Sequence, residues 1–369
     1  MSTTKLGLAI ALVFTLALPI NAHAARQGDS TGCWDPAANV NYDVPATFDP
    51  ATASDADLAC YGLPARPYGN PVALKVWQHF VGIGQPRVKI VHARLLRTNF
   101  RAAGPHSRPK ASARTRSRVV STFPHWAGYA IDPSSDPSVD ALGYWTEPDG
   151  GDADGHLIVR WVGFTGVGGV GTAQTPLYQS GTAQVDPAIS GQPVAHSFWY
   201  EEVCGCPNDT PVIFLDRTQK PLALNDFTVT EQYFGKKADG TPIVWFKLQN
   251  ITQGVVAYEY VSIPSTASST TSTPEVEYIT EDASFNGNWL PFLDAEDYHQ
   301  VDFELLQLTG SSGTTYALGA FGYPAYTYNL YDSTQYPRYL MEPVPVNNGF
   351  SSFNDCSGPF LQPGQAQCT

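Results

Sequence analysis

The sequence predicts an all-β sandwich with a two-sheet core, and three observations carry that prediction. Segments rich in β-branched and aromatic residues recur, each bounded by Gly, Pro, Asn or Ser clusters. No long 3.6-residue apolar period follows Phe80. Aromatics at 12%, with 32 Gly and 30 Pro, suit a fold of many turns around a core of large rings.

The N-terminus reads differently from the rest. Lys5 is the only charge before Arg26, and Leu6 to Leu18 is apolar. Ala22-His23-Ala24 offers small residues for cleavage, so residues 1–24 read as a signal peptide, too short in its apolar core to span a bilayer. No later segment is apolar enough to span one. Secretion or export to a periplasm is the expectation, with no membrane contact once the signal is removed.

Residues 25–118 form a mixed segment. It opens with Pro/Asp/Ala-rich loop sequence and contains a short helix candidate, Ala73 to Phe80. It ends in the run Ala102 to Pro109, which reads as a linker. Residues 119–310 form the main domain, ample for one two-sheet core. Its strand candidates are Leu157–Val162, Ile243–Leu248, Val255–Val261 and Val276–Glu281. Ser265 to Pro274 is a Ser/Thr-rich loop. Residues 311–369 are rich in Tyr, Gly and Pro and are expected to pack on the sandwich.

Charge divides the chain. Residues 1–118 hold 14 Lys/Arg and 6 Asp/Glu, a net of +8; residues 119–369 hold 7 and 28, a net of −21, and the two sum to −13. From Arg87 to Arg118 ten basic residues occur with no acid among them. Such a run often marks nucleic acid or a membrane surface. Here the chain's own acidic remainder is the better partner, and no nucleic acid is expected. After the signal six cysteines remain, an even number that suits disulfides in an oxidising compartment. Pairing cannot be read from sequence, and Cys33 with Cys60 and Cys356 with Cys368 are the local candidates. Cys204-Gly205-Cys206 lacks the second pair and the His spacing of a zinc site, so no metal is expected.

Most catalytic constellations fail. There is no Gly-x-Ser-x-Gly, no His-Glu-x-x-His, and the glycine-rich Gly163–Gly169 is followed by no Lys-Ser/Thr. The histidines show no paired ligand spacing, and His125 and His196 read as structural. Glu277 and Glu281 lie on one face of a predicted strand. At ~3.3 Å per residue they stand roughly 13 Å apart. That is too far for a dyad sharing a proton, and beyond the ~5–9.5 Å used by glycosidases. A catalytic glutamate here therefore needs a partner from another strand.

Five motifs in order carry a family resemblance: His125-Trp126-Ala127-Gly128-Tyr129; Arg160-Trp161-Val162-Gly163; Leu177-Tyr178-Gln179-Ser180-Gly181-Thr182-Ala183-Gln184; Phe198-Trp199-Tyr200-Glu201; and Val276-Glu277-Tyr278-Ile279-Thr280-Glu281. Asn288-Trp289-Leu290-Pro291-Phe292 and Val301-Asp302-Phe303 follow, and Ala59 to Pro67 is similar to bacterial precursor segments. Together they resemble the glutamic peptidases, or eqolisins, from about Phe123 to Leu308. The resemblance implies a lectin-like sandwich of two antiparallel sheets. It implies an acid-acting endopeptidase, probing polypeptide substrates without a cofactor, made as a precursor. It carries the catalytic pair onto Gln179 and Glu281, and substrate-side roles onto Trp161, Trp126, Tyr200 and Glu201. Thr165 and Glu202 depart from the family pattern, and Gly166 to Ala173 is a longer insertion, which bears on substrate preference and pH profile.

A glutamate of ordinary pKa, about 4.3, is a base in mildly acidic water. A glutamine amide donates to an oxyanion. A monomer is expected, with the basic pro-segment as its own intramolecular inhibitor. The competing reading is a non-catalytic lectin-like carbohydrate-binding or adhesion protein, its aromatics stacking on sugars. Such a module requires neither Gln179 nor Glu281.

Overall fold

The structure is a computed structural model. It describes residues 44–45, 47–85, 88–91, 95–97, 100–101, 119–123, 125–131, 133, 136–148, 157–165, 176–185, 196–203, 213–215, 222–236, 240–263, 275–285, 288–289, 301–321, 326–332, 338–345 and 352–360. The signal peptide, the linker from Ala102, the Ser265–Pro274 loop and Cys33, Cys204, Cys206 and Cys368 lie outside the described residues.

In chain order the N-terminal part contributes α1 (Asp55–Cys60), α2 (Pro71–Phe80), β1 (Lys89–Ile90), β2 (Leu95–Arg97) and β3 (Phe100–Arg101). Then come β4 (Val119–Phe123), β5 (Trp126–Ile131), β6 (Ser138–Thr146), β7 (Leu157–Thr165), β8 (Leu177–Val185), β9 (His196–Val203) and β10 (Ile213–Leu215). Next are β11 (Phe227–Lys236), β12 (Pro242–Asn250), β13 (Val255–Ser262), β14 (Glu275–Asp282), β15 (Ser284–Phe285) and β16 (Asn288–Trp289). The C-terminal part adds β17 (Val301–Gly310), β18 (Thr315–Ala317), β19 (Tyr326–Asp332), β20 (Arg338–Pro345) and β21 (Phe353–Phe360).

The fold is an all-β sandwich. One layer runs β2-β10-β9-β8-β7-β14-β5-β19-β20-β21. The other runs β1-β13-β12-β11-β6-β17. Pairing of β17 with β21 joins the layers along one side. On the other side the chain steps from β1, on the edge of one layer, to β2, on the edge of the other. Pairing is antiparallel except for β1 with β13 and β4 with β19, which are parallel. The described strands after Gly310 are thus paired into the sheets.

Two apolar clusters fill the space between the layers. One gathers Tyr129, Trp145, Val162, Phe164, Tyr278, Phe303 and Phe353. The other gathers Tyr178, Phe198, Tyr200, Val244, Phe246 and Leu248. Period-2 alternation delivers these side chains from every second position of each strand.

The helices cover the outside of the β11–β13 layer. Ser54 caps α1 and exchanges bonds with Asp57 in a capping box. Asn70 caps α2, with Pro71 where the missing N–H costs nothing. Leu58, Val76, Trp77 and Phe80 then pack on Tyr233, Ile243, Trp245 and Tyr258. Apolar burial and backbone pairing anchor this N-terminal unit, whereas the charge pattern alone had suggested electrostatic attachment. Cys60 and Cys356 are each disulfide-bonded.

Candidate active site

The strand registers decide which side chains meet. Gln179 pairs with Gly163, and Gly163 with Glu277; on the other side Gln179 pairs with Glu201. These residues form one row. Two positions along, Gly181, Trp161, Ile279 and Trp199 form a second row. Two further along, Ala183, Val159, Glu281 and Trp126 form a third. Paired and alternate residues point to the same side of a sheet, so Gln179, Glu201, Glu277, Trp161, Glu281 and Trp126 share one face. It is the outer face of its layer, because the intervening positions Tyr178, Val162 and Tyr278 supply the inter-layer core.

Gln179 and Glu281 thus lie on one face but in different rows, two strands and four residues apart. Trp161 stands between them. Its Nε1 donates to Glu281 Oε2 at 2.9 Å. Its ring leans over Gly163, where a Cβ would come within 2.6 Å of it. Glycine at 163 leaves the indole that room. Trp126 meets the Trp161 ring edge-on, with centroids 5.0 Å apart. Gln179 Nε2 donates to Glu201 Oε2 at 2.8 Å. The arrangement offers a carboxylate held by an indole N–H and an amide oriented by a second carboxylate.

Tyr200 does not join this face. It falls between Trp199 and Glu201 and so points inward, where it stacks on Phe246 with centroids 5.2 Å apart. The substrate-side role expected of Tyr200 is corrected to a core role. Conversely, Glu277 occupies the row of Gln179 and lies nearer to it by register than Glu281 does. The alternation of the strand had placed Glu277 and Glu281 on one face, but only the register relates either of them to Gln179.

All six residues of this face are buried: Gln179, Glu277, Glu281, Trp161 and Trp126 have no exposed surface, and Glu201 has 1%. The face is therefore covered in this form of the chain.

The inward side of the same strands carries a buried polar network. Arg160 Nη1 lies 3.5 Å from Glu147 Oε1, and His196 Nδ1 3.0 Å from the same oxygen. Thr280 donates to Asp355 Oδ2 at 2.6 Å. Burial pushes the Asp355 carboxyl up to about 8, against the opposing pull of Thr280 and Arg160. Burial also works to raise Glu147, but His196 and Arg160 outweigh it and hold Glu147 below the usual range. His125 Nδ1 is 3.8 Å from Asp282 Oδ2.

Among the described residues one group has the makings of a metal site, His79, Asp140 and Glu231, and it lies outside the opposite layer. Among the described residues no helix is long and apolar enough to cross a membrane.

No family profile matches the chain, and no curated protein does. Among solved structures it is similar to scytalido-glutamic peptidase bound to a peptide-based transition state analog, at 17% identity and a TM-score of 0.42, over 64% of this chain and 100% of that one. It is similar to SCP-B, a member of the eqolisin family of peptidases in complex with the tripeptide Ala-Ile-His, at 16% identity and a TM-score of 0.40, over 64% and 100%. A marine PL-14 alginate lyase from Aplysia kurodai matches at 8% identity and a TM-score of 0.25, over 41% and 71%. At such identities and TM-scores these likenesses assign no activity to the chain.

Proposed function

We propose that the chain is the exported precursor of an acid-acting endopeptidase, with Glu281 as general base and acid and Gln179 as oxyanion donor. One observation carries the reading. A buried face holds both residues, each already oriented by a hydrogen bond, Glu281 by Trp161 and Gln179 by Glu201.

Two strand spacings of ~4.8 Å and four residues at ~3.3 Å put the two Cα atoms about 16 Å apart on a flat sheet, the span in which the reading places the water and the scissile peptide. Glu281 takes a proton from the water as its oxygen attacks the peptide carbonyl carbon. The carbonyl pair moves onto oxygen, and a Gln179 N–H stabilises it. Collapse expels the amine, which takes the proton back from Glu281.

We assign the cover of this face to the segment through β2 and β3. β2 lies at the edge of the site layer, and β3 pairs with β15, three residues after Glu281 in the chain. The three steps from Arg97 to Phe100 reach about 11 Å at most, so the segment ties the edge of the layer to the chain that follows β14. The core fills the inner face, which leaves the outer face, the one bearing Gln179 and Glu281, for the segment to cover. Release of the segment is then the activating step. β3 ends at Arg101 and β4 begins at Val119, and we place the cleavage within residues 102–118, between the two strands.

The test is incubation of the purified chain at mildly acidic pH with a denatured protein substrate, beside Glu281→Gln. Shortening of the wild type to a new N-terminus within 102–118, with substrate cleavage, is expected, and the variant should do neither. An intact wild-type chain that is already fully active would overturn the precursor reading. Absence of cleavage at any pH, after removal of residues 1–101, would overturn the peptidase reading.

A further inference from the structure

His79 sits in the last turn of α2, with its side chain 44% exposed. Its Nδ1 lies 3.0 Å from Glu231 Oε1 on β11. Asp140, on the neighbouring strand β6, completes a group whose ligand atoms all lie within 4.8 Å of one another. Asp140 is 1% exposed, and its Oδ1 is buried without a hydrogen-bond partner. The Glu231 carboxylate faces Asp140, and only Lys247 and a 3.4 Å contact from Thr309 oppose the resulting repulsion and desolvation.

We propose that His79, Asp140 and Glu231 form a binding site for a divalent transition-metal ion of the zinc class, which clamps the N-terminal helical unit to the sandwich. One imidazole nitrogen and two carboxylate oxygens are the donor set that zinc accepts, and the imidazole disfavours calcium and magnesium. Three protein ligands leave a fourth position, toward the solvent that His79 faces. Lys247 does not compete for it. Its Nζ donates to the far oxygen of Glu231, Oε2, at 2.8 Å. It thereby fixes the carboxylate with Oε1 toward the cluster, the orienting role that outer partners play at metal sites. Closing the cluster around zinc, with bonds of ~2.0–2.2 Å, needs the donor atoms to draw in to about 3.4 Å from one another. His79 and Glu231 are already closer than that.

The consequence is mechanical. His79 belongs to α2, while Asp140 and Glu231 belong to the sheet, so the ion adds a further tie to the apolar packing and the β1–β13 pairing that hold the two parts together. This site lies on the opposite layer from Gln179 and Glu281 and takes no part in the hydrolysis proposed for them.

Titration of the untagged full-length chain with zinc chloride at neutral pH, by calorimetry and by thermal denaturation, decides it. One equivalent should bind and raise Tm. His79→Ala and Asp140→Asn should each weaken binding by at least about 100-fold and abolish the rise, a loss larger than outer partners carry. Glu281→Gln should bind as the wild type does, so the outcome is independent of peptidase activity. No zinc-dependent heat in the wild type, or binding undiminished by His79→Ala, overturns the proposal. Should Asp140→Asn fail to fold, His79→Ala alone decides, since His79 is half exposed at a helix end.

Discussion

The indole N–H of Trp161 donates to Glu281 at 2.9 Å from one strand across and two residues along, a diagonal contact between β7 and β14. Everything proposed for the outer face turns on it. The bond fixes where one carboxylate oxygen sits, and the ring fills the room above Gly163 between Gln179 and Glu277.

Trp161→Phe keeps most of the ring and removes the donor. A hydrogen bond to a charged group contributes about 1.5–3 kcal/mol. A fall in kcat/KM of about tenfold to a hundredfold is expected, with an unchanged circular dichroism spectrum. Full activity in this variant would show that the Trp161 bond has no part in placing the base.

Glu277 and Glu281 compete for the role of base, because Glu277 shares the row of Gln179. Glu281→Gln should abolish turnover, and Glu277→Gln should leave it within about tenfold of wild type. Gln179→Ala should cost about 10²–10³ in kcat, the usual effect of losing an oxyanion donor. The reverse ranking of the two glutamates would move the base to Glu277.

Asp355 gives stability a pH dependence of definite sign. Its carboxyl titrates at about 8 in the fold and at ~3.9 in an unfolded chain. Between those values the folded state holds a proton that the unfolded chain has lost, so stability falls as pH rises from about 4 to about 8. Glu231 acts the other way. Burial pushes it up, but Lys247 and His79 bring it to about 2, so it contributes stability above ~4 that disappears as pH falls toward 2. Thermal denaturation should therefore peak in mildly acidic buffer. Asp355→Asn should flatten the decline toward pH 8, and an unchanged slope would exclude Asp355 as its source.

Gly181 is a position where a side chain has no room. A Cβ there would lie 1.7 Å from the Arg160 carbonyl oxygen and 2.8 Å from the Trp161 Cα. Both are backbone atoms of the adjacent strand, so no rotamer change relieves the overlap. Gly181→Ala should cost about 3 kcal/mol or more. Urea denaturation measures it, and a variant as stable as wild type would mean that β7 and β8 separate readily.

The strands of the main domain were legible from residue type alone. Leu157–Val162 extends to Thr165, Ile243–Leu248 grows to Pro242–Asn250, and Val276–Glu281 gains one residue at each end. The α2 helix begins at Pro71, two residues before the predicted start, because Asn70 caps it. Propensity and capping act between near neighbours, so the chain carries them locally. The same-face relation of Glu277 and Glu281 followed from alternation for the same reason.

Which face is which was not legible. All eight residues of β14 are buried, so hydrophobic alternation gave no sign of direction, and the resemblance that carried a substrate-side role onto Tyr200 said nothing of which way its strand faces. The weaving of the C-terminal strands into both layers had no local signal either, since β21 meets β17 some fifty residues away in the chain. Nor did the meeting of His79 with Glu231, 152 residues apart. The sequence by itself determined strands, caps and candidate chemistry. Only the tertiary structure decided register, facing and partnership, because these depend on contacts between residues as distant as Trp161 and Glu281, 120 positions apart, which no local pattern encodes.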